Sequence, residues 1–188
     1  MAYENEWIDL FPYEKPRPEQ HDAIEQAIEA LKNGTRFIIC DEPTGIGKSA
    51  IAVTVSRWAA KYLDQNVALP NGQMSMFSPG GNFITTQKLL QDQYVSDFSG
   101  VGMRSIKSAT NYECTFNPNE NCKDARTMMK LASADPNWRA SCADMRCCYR
   151  QAKADFSNAD LSITSFAYFL TDSVYGDRTV PAKQLLVI

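Results

Sequence analysis

The segment from Arg36 to Tyr62 constrains this chain more than any other. Arg36-Phe37-Ile38-Ile39-Cys40 is a short apolar run bounded by turn residues, the pattern of a buried strand. Within it Cys40 reads as a small buried apolar residue. Asp41-Glu42-Pro43-Thr44-Gly45-Ile46-Gly47-Lys48-Ser49 follows, and then Ile51, Val55, Trp58 and Tyr62 recur on one face of a helix. A glycine turn between a buried strand and a helix is suited to holding phosphate. Gly45 and Gly47 permit backbone turns that a Cβ would block. The N–H groups of the turn, with the positive end of the helix behind them, face an anion. Lys48 adds a point charge for β- and γ-phosphates, and the Ser49 hydroxyl suits Mg²⁺. The usual pattern G-x-x-x-x-G-K-[ST] lacks its first glycine here, where Glu42 stands.

Around this turn, helical and strand patterns alternate. Pro18 opens a helix with Ile24, Ala27, Ile28 and Leu31 at helical spacing and Asn33-Gly34 as its stop. Residues 64–82, rich in Asn, Gly, Pro and Gln, read as a surface excursion that can form a hairpin. Asn82–Thr86, Leu161–Thr164 and Gln184–Ile188 have strand character, and Gln87–Phe98 is helical. The alternation predicts an α/β fold with a parallel sheet. A chain of 188 residues with 44% hydrophobic content can bury a core. A net charge of −3 argues against a globally basic nucleic-acid binder, though not against a local basic groove. The acidic, polar start carries no signal-peptide core, and no run of about 18 apolar residues occurs. A cytoplasmic protein with no membrane contact is the expectation.

Five of the six cysteines fall between Cys114 and Cys148. With no export signal, that clustering favours a metal site over disulfides. Iron–sulfur clusters and structural zinc both take four thiolates. The candidates are Cys114, Cys122, Cys142, Cys147 and Cys148, one more than needed. Successive side chains point apart, so Cys147 and Cys148 compete for one place. Zinc is the rival, although the paired C-x₂-C spacing usual for zinc is absent. Residues 100–150 are polar and weakly periodic, so metal binding would supply their folding free energy. Lys107, Lys123, Arg126, Lys130, Arg139 and Arg146 give this stretch basic character, with Glu113, Glu120, Asp124, Asp135 and Asp144 as ready partners.

Several segments together resemble the XPD/DinG-like family of iron–sulfur helicases. Arg17-Pro18-Glu19-Gln20 is similar to the family's R-x-x-Q, and Asp41–Ser49 to its E-A-P-T-G-T-G-K-T. Phe83-Ile84-Thr85-Thr86-Gln87 resembles the motif after the second strand. Asn111-Tyr112-Glu113-Cys114 resembles K-G-R-x-N-Y-x-C, with Ser108 and Ala109 replacing the Gly-Arg pair. Cys147-Cys148-Tyr149-Arg150-Gln151-Ala152-Lys153 resembles C-P-Y-x-x-A-R, and Ala159–Phe166 resembles A-D-I-I-V-x-N-Y.

The resemblance implies a RecA-like P-loop NTPase domain with an inserted, cysteine-ligated iron–sulfur domain. Residues 1–99 would be the first part of the ATP-binding domain, 100–150 the insertion, and 151–188 the return. The nucleotide would touch Arg17, Gln20, Thr44, Gly45, Ile46, Gly47, Lys48 and Ser49. In those roles Gln20 reads the adenine edge, Lys48 is catalytic and Ser49 holds Mg²⁺. Thr85 or Thr86 would touch a DNA phosphate. A [4Fe-4S] cluster would sit on Cys114, Cys122, Cys142 and Cys147, with Cys148 as rival to Cys147. The implied protein is a monomeric ATP-dependent DNA helicase that moves 5′ to 3′ on single-stranded DNA and opens forks. Its D-E-A-H box would follow Ile188, so these residues would be a front piece that turns over little ATP alone. The other readings are a non-motor P-loop protein with a zinc module, and a P-loop kinase.

Overall fold

The structure is a computed structural model describing residues 6–68, 72–131, 146–175 and 179–188. Its centre is a four-stranded, fully parallel sheet in the order β4–β7–β3–β8. These strands are β3 (Ser78–Thr85), β4 (Met103–Ile106), β7 (Leu161–Ser165) and β8 (Lys183–Val187). The inner strands are buried on both faces, which is why β7 reads Leu-Ser-Ile-Thr with no alternation. Its hydroxyls find carbonyl partners: Ser162 Oγ donates to Phe156 O at 2.7 Å, and Thr164 Oγ1 to Ile106 O at 2.9 Å. β1 (Asn66–Ala68) and β2 (Met74–Met76) form the hairpin expected within residues 64–82.

Helix α2 (Lys48–Tyr62) is buried on two sides. Val53 packs on the sheet with Phe83, Phe98, Met103, Leu161 and Ile163. Ile51, Val55, Trp58 and Ala59 pack on the other side with Ile24 and Ile28 of α1 (Pro18–Lys32) and with Trp7 and Phe11. Truncating a buried aromatic such as Trp58, 2% exposed, costs about 3–5 kcal/mol in comparable cores. The close approach of α2 and β7 to β3 depends on two glycines. Gly80, with φ +86°, lies where a Cβ would collide with the Asp160 carbonyl, and a Cβ on Gly81 would press on Ser56 Oγ. β3 therefore starts at Ser78, four residues earlier than its apolar run suggests.

Two expectations need correction. Arg36–Cys40 forms no strand: Phe37 and Ile39 are 85% and 92% exposed, and Cys40 is exposed as well. An apolar run becomes a strand only where a neighbour supplies ladder partners, and no described strand runs beside this one. Met103–Ile106, assigned by sequence to the insertion, is β4 at the edge of the main sheet, paired in register with Leu161–Thr164. Its Met103 and Ile106 are fully buried, which a four-residue strand is too short to announce. No helix among the described residues is long and apolar enough to cross a membrane.

Lys183, the first residue of β8, is 7% exposed. Its ammonium donates to Ala159 O and to Pro79 O, tying together the starts of three strands. Burial pulls its pKa down from 10.5 to about 8, with Asp160 opposing the shift. Between those values the unfolded chain holds a proton that the folded chain has shed, so stability from this group rises with pH across that window. Below it both states are protonated and the cost of the buried charge is constant. The stability of the protein relative to Lys183→Met, measured by urea unfolding, is expected to rise from about pH 7 to about pH 10. A pH-independent difference would refute the assignment.

Candidate nucleotide loop and cysteine cluster

The glycine turn has the conformation its sequence requires. Gly45 and Gly47 have φ of 87° and 88°, in the left-handed region, and Gly47 caps α2 so that Lys48 is its first residue. The opening N–H groups of any helix lack i−4 partners, and here those of Lys48 and Ser49 come directly after the turn, while Ala50 N donates to Gly47 O at 2.9 Å. The Lys48 ammonium folds back over the loop and donates to Glu42 O at 2.5 Å and Pro43 O at 2.9 Å. Lys48 and Thr44 are exposed, while Ile46 and Ser49 are half-buried. An arriving phosphate would therefore exchange with two carbonyls for one flexible, solvent-reached cation.

The loop is fastened from below by α1. Arg17 Nη1 donates to Gly45 O at 3.0 Å, and Gln20 Nε2 donates to Ile46 O at 2.8 Å and to Gly47 O at 3.5 Å. Gln20 Oε1 in turn accepts from Arg17 N at 2.9 Å. Three consecutive loop carbonyls thus rest on two side chains one helical turn apart. A Cβ on Gly47 would lie 2.5 Å from Gln20 Nε2, so the second glycine also makes room for this contact. Gln20 is 6% exposed and its amide is engaged at both ends by backbone. In this arrangement it shapes the loop. The R-x-x-Q spacing was the available signal, but sequence gives no sign that its target is the loop.

Thr85, at the carboxyl end of β3, is buried, and its hydroxyl accepts from Gln87 N at 3.2 Å, capping the turn into α3 (Lys88–Phe98). Thr86 is exposed beside it. Lys107 pairs with Asp92 of α3, outside the group of acidic partners suggested by sequence.

Downstream, three short elements bring cysteines together. β5 (Glu113–Cys114) pairs with β6 (Asn117–Asn121), and Cys122 opens α4 (Cys122–Leu131). Asn121 Oδ1 accepts from Lys123 N and Asp124 N at 3.0 and 2.9 Å, which fixes the start of that helix. Cys147 caps α5 (Cys148–Asn158). Cys114, Cys122 and Cys147 are buried in one cluster, with Cys148, Tyr112 and Tyr149 packed against it. The two tyrosine rings meet at 5.2 Å. Cys148 Sγ donates to Glu113 O at 2.9 Å, and Cys122 Sγ approaches the same oxygen at 3.6 Å. Desolvation, then the neighbouring Cys148 and Cys147, push the Cys122 thiol up to about 12. Cys142, Arg139, Asp135 and Asp144 lie outside the described residues.

Four thiols gathered at a hairpin and two helix N-termini have the donor chemistry that iron–sulfur or zinc ligation requires. In the arrangement shown, two of them turn to the Glu113 carbonyl, and no group of three His, Cys, Asp or Glu side chains among the described residues is placed to hold a metal ion. The donor chemistry fits; in this arrangement the cysteines are free thiols.

The family model described as "Type III restriction enzyme, res subunit" matches residues 13–130, the larger part of the chain. Neither a curated protein nor a solved structure matches significantly.

With metal excluded, iodoacetamide near neutral pH is expected to label exposed Cys40 well before buried Cys122, whose labelling should climb steeply only as pH approaches the raised thiol value. Peptide mass spectrometry across a pH series reads both rates. Equal labelling of the two thiols at neutral pH would contradict the burial and charge arrangement.

Proposed function

The chain belongs to the type III restriction enzyme res subunit family, a helicase-like ATPase family of superfamily 2, and from that premise we propose that its glycine loop binds ATP with Mg²⁺ to drive a DNA helicase motor. The observation that carries this reading is the pre-shaped loop: Gly45 and Gly47 in left-handed turns, Lys48 at the helix start, and Arg17 and Gln20 holding three loop carbonyls.

In the proposed mechanism Lys48 leaves the Glu42 and Pro43 carbonyls for the β- and γ-phosphates, where its charge offsets that developing on the transferred group. The Ser49 hydroxyl holds Mg²⁺. The N–H groups of the loop and the α2 terminus cradle the phosphate oxygens. Arg17 and Gln20 keep the turn from relaxing when the phosphate departs. The full protein would close a second motor domain over this nucleotide, track single-stranded DNA 5′ to 3′ and open duplexes, in the manner of the XPD/DinG-like helicases that its motifs resemble. Residues 1–106, which include β4, and 151–188 would form the motor domain. Residues 107–150 would carry an inserted module held by four of Cys114, Cys122, Cys142, Cys147 and Cys148. Bound there, a [4Fe-4S] cluster would supply a tie between hairpin and helices in a stretch with little apolar core. The same thiols support the second reading, a structural zinc module, in which case the protein need not be an iron–sulfur helicase.

The test is nucleotide affinity. Charge-assisted hydrogen bonds contribute about 1.5–3 kcal/mol each. Lys48→Ala is therefore expected to weaken binding of a non-hydrolysable ATP analogue by about 10–100-fold. Gln20→Ala, which frees the loop carbonyls of Ile46 and Gly47, should weaken it about 5–10-fold with an unchanged circular dichroism spectrum. Calorimetric titration measures both, and wild-type affinity in Lys48→Ala would refute the reading.

A further inference from the structure

We propose that Cys122 and Cys148 form a peroxide-sensitive dithiol, which closes to a disulfide when the chain holds no metal. The inference stands apart from the metal reading, because it concerns the thiols as free groups.

Both residues are tied through their backbone to the start of the same small hairpin. Cys122 N–H donates to Tyr112 O at 2.8 Å, and Cys148 N–H donates to Thr115 Oγ1 at 3.1 Å. Their side chains then turn to one oxygen. Cys148 Sγ donates to Glu113 O at 2.9 Å, and Cys122 Sγ approaches it at 3.6 Å. The Cys148 thiol is also a hydrogen-bond neighbour of the Cys122 thiol. Two helix starts that are remote in sequence thus place sulfur beside sulfur.

Access to solvent separates their roles. Cys114, Cys122 and Cys147 are buried, while Cys148 is half-buried at the edge of the cluster. An oxidant arriving from solvent meets Cys148 first, and the sulfur it finds alongside is Cys122. Cys147 is nearer in sequence but is the poorer partner. Adjacent Cα atoms stand about 3.8 Å apart, short of the roughly 4.4–6.8 Å that a disulfide spans. The backbone also changes between them, from extended at Cys147 (φ −64°, ψ 117°) to helical at Cys148.

The oxidant is hydrogen peroxide. Cys148 Sγ takes one peroxide oxygen as the O–O bond breaks, giving a sulfenic acid and one water. Cys122 Sγ then attacks that sulfur. The S–S bond forms, the S–O bond breaks, and the hydroxyl leaves as water with the Cys122 proton. Two thiols lose two electrons and two hydrogens, and one peroxide becomes two waters. The five cysteines between Cys114 and Cys148 are then left with three free sulfurs, fewer than a four-thiolate site needs, whichever residues such a site would use. Oxidation of this pair would therefore withhold metal from the cluster until a thiol reductant reopens it.

The experiment uses the whole 188-residue chain, freed of metal with a chelator, reduced, desalted and treated with a small excess of hydrogen peroxide. Remaining thiols are alkylated, and non-reducing peptide mapping, with fragmentation between Cys147 and Cys148, locates the bonds. In the wild type Cys122 is expected to be joined to Cys148, and dithiothreitol to restore both thiols. The link should be lost in Cys148→Ser and kept in Cys147→Ser. The wild-type map stands by itself should either variant fail to fold. Cys122 joined to Cys114, Cys142 or Cys147, links only between chains, or Cys148 oxidised to sulfinic acid with Cys122 still free would overturn the pairing. In a second arm the reduced and oxidised chains are incubated with zinc alone. The reduced chain is expected to take up zinc, and the oxidised chain to lose that uptake until dithiothreitol is added. Equal uptake by both would refute the withholding of metal. Uptake by neither, with the Cys122–Cys148 link mapped, would reject the metal reading and uphold the pairing.

Discussion

Burial of α2 between the parallel sheet and α1 is the constraint on which the rest depends. A helix packed on both sides cannot rotate or slide without opening one of two cores, Val53 with Phe83 or Trp58 with Ile24. Its first residue is Lys48, so the position of the candidate phosphate-binding cation is set by apolar packing well removed from it. α1 then serves twice. Ile24 and Ile28 support α2, while Gln20, one turn earlier, holds the loop that leads into it. Folding energy and site geometry are supplied by the same pair of helices.

The cysteine region is organised on another principle. β5 has two residues and β6 five, and no aliphatic side chain larger than alanine belongs to their cluster. Hydrogen bonds at helix starts do the positioning instead: Asn121 for α4, and Thr115 for α5. Such an assembly holds thiols near one another while burying little apolar surface.

Legibility in the sequence followed the range of the interactions. The glycine loop, α1, α3 and the parallel character of the sheet were readable because turn residues, caps and periodicity act over a few positions. The link from Gln20 to Ile46 was not, since a buried amide and a surface amide have the same letter. Arg36–Cys40 misled because hydrophobicity reports a preference for burial, while a ladder needs a neighbour in space. β4 was hidden by its four-residue length, and the shared placement of Cys147 and Cys148 by a backbone change that falls between them.

Among the described residues, β8 closes one side of the sheet with β3 on its inner flank and no strand on the other, and on this strand Leu186 is 53% exposed. The outer row of amides and carbonyls is a template for any extended peptide that arrives. Phe37 and Ile39, exposed elsewhere on the same molecule, are apolar side chains of the kind such a template accepts. An open flank of this kind invites pairing between copies, and a charge or a covering strand placed along it would oppose that pairing.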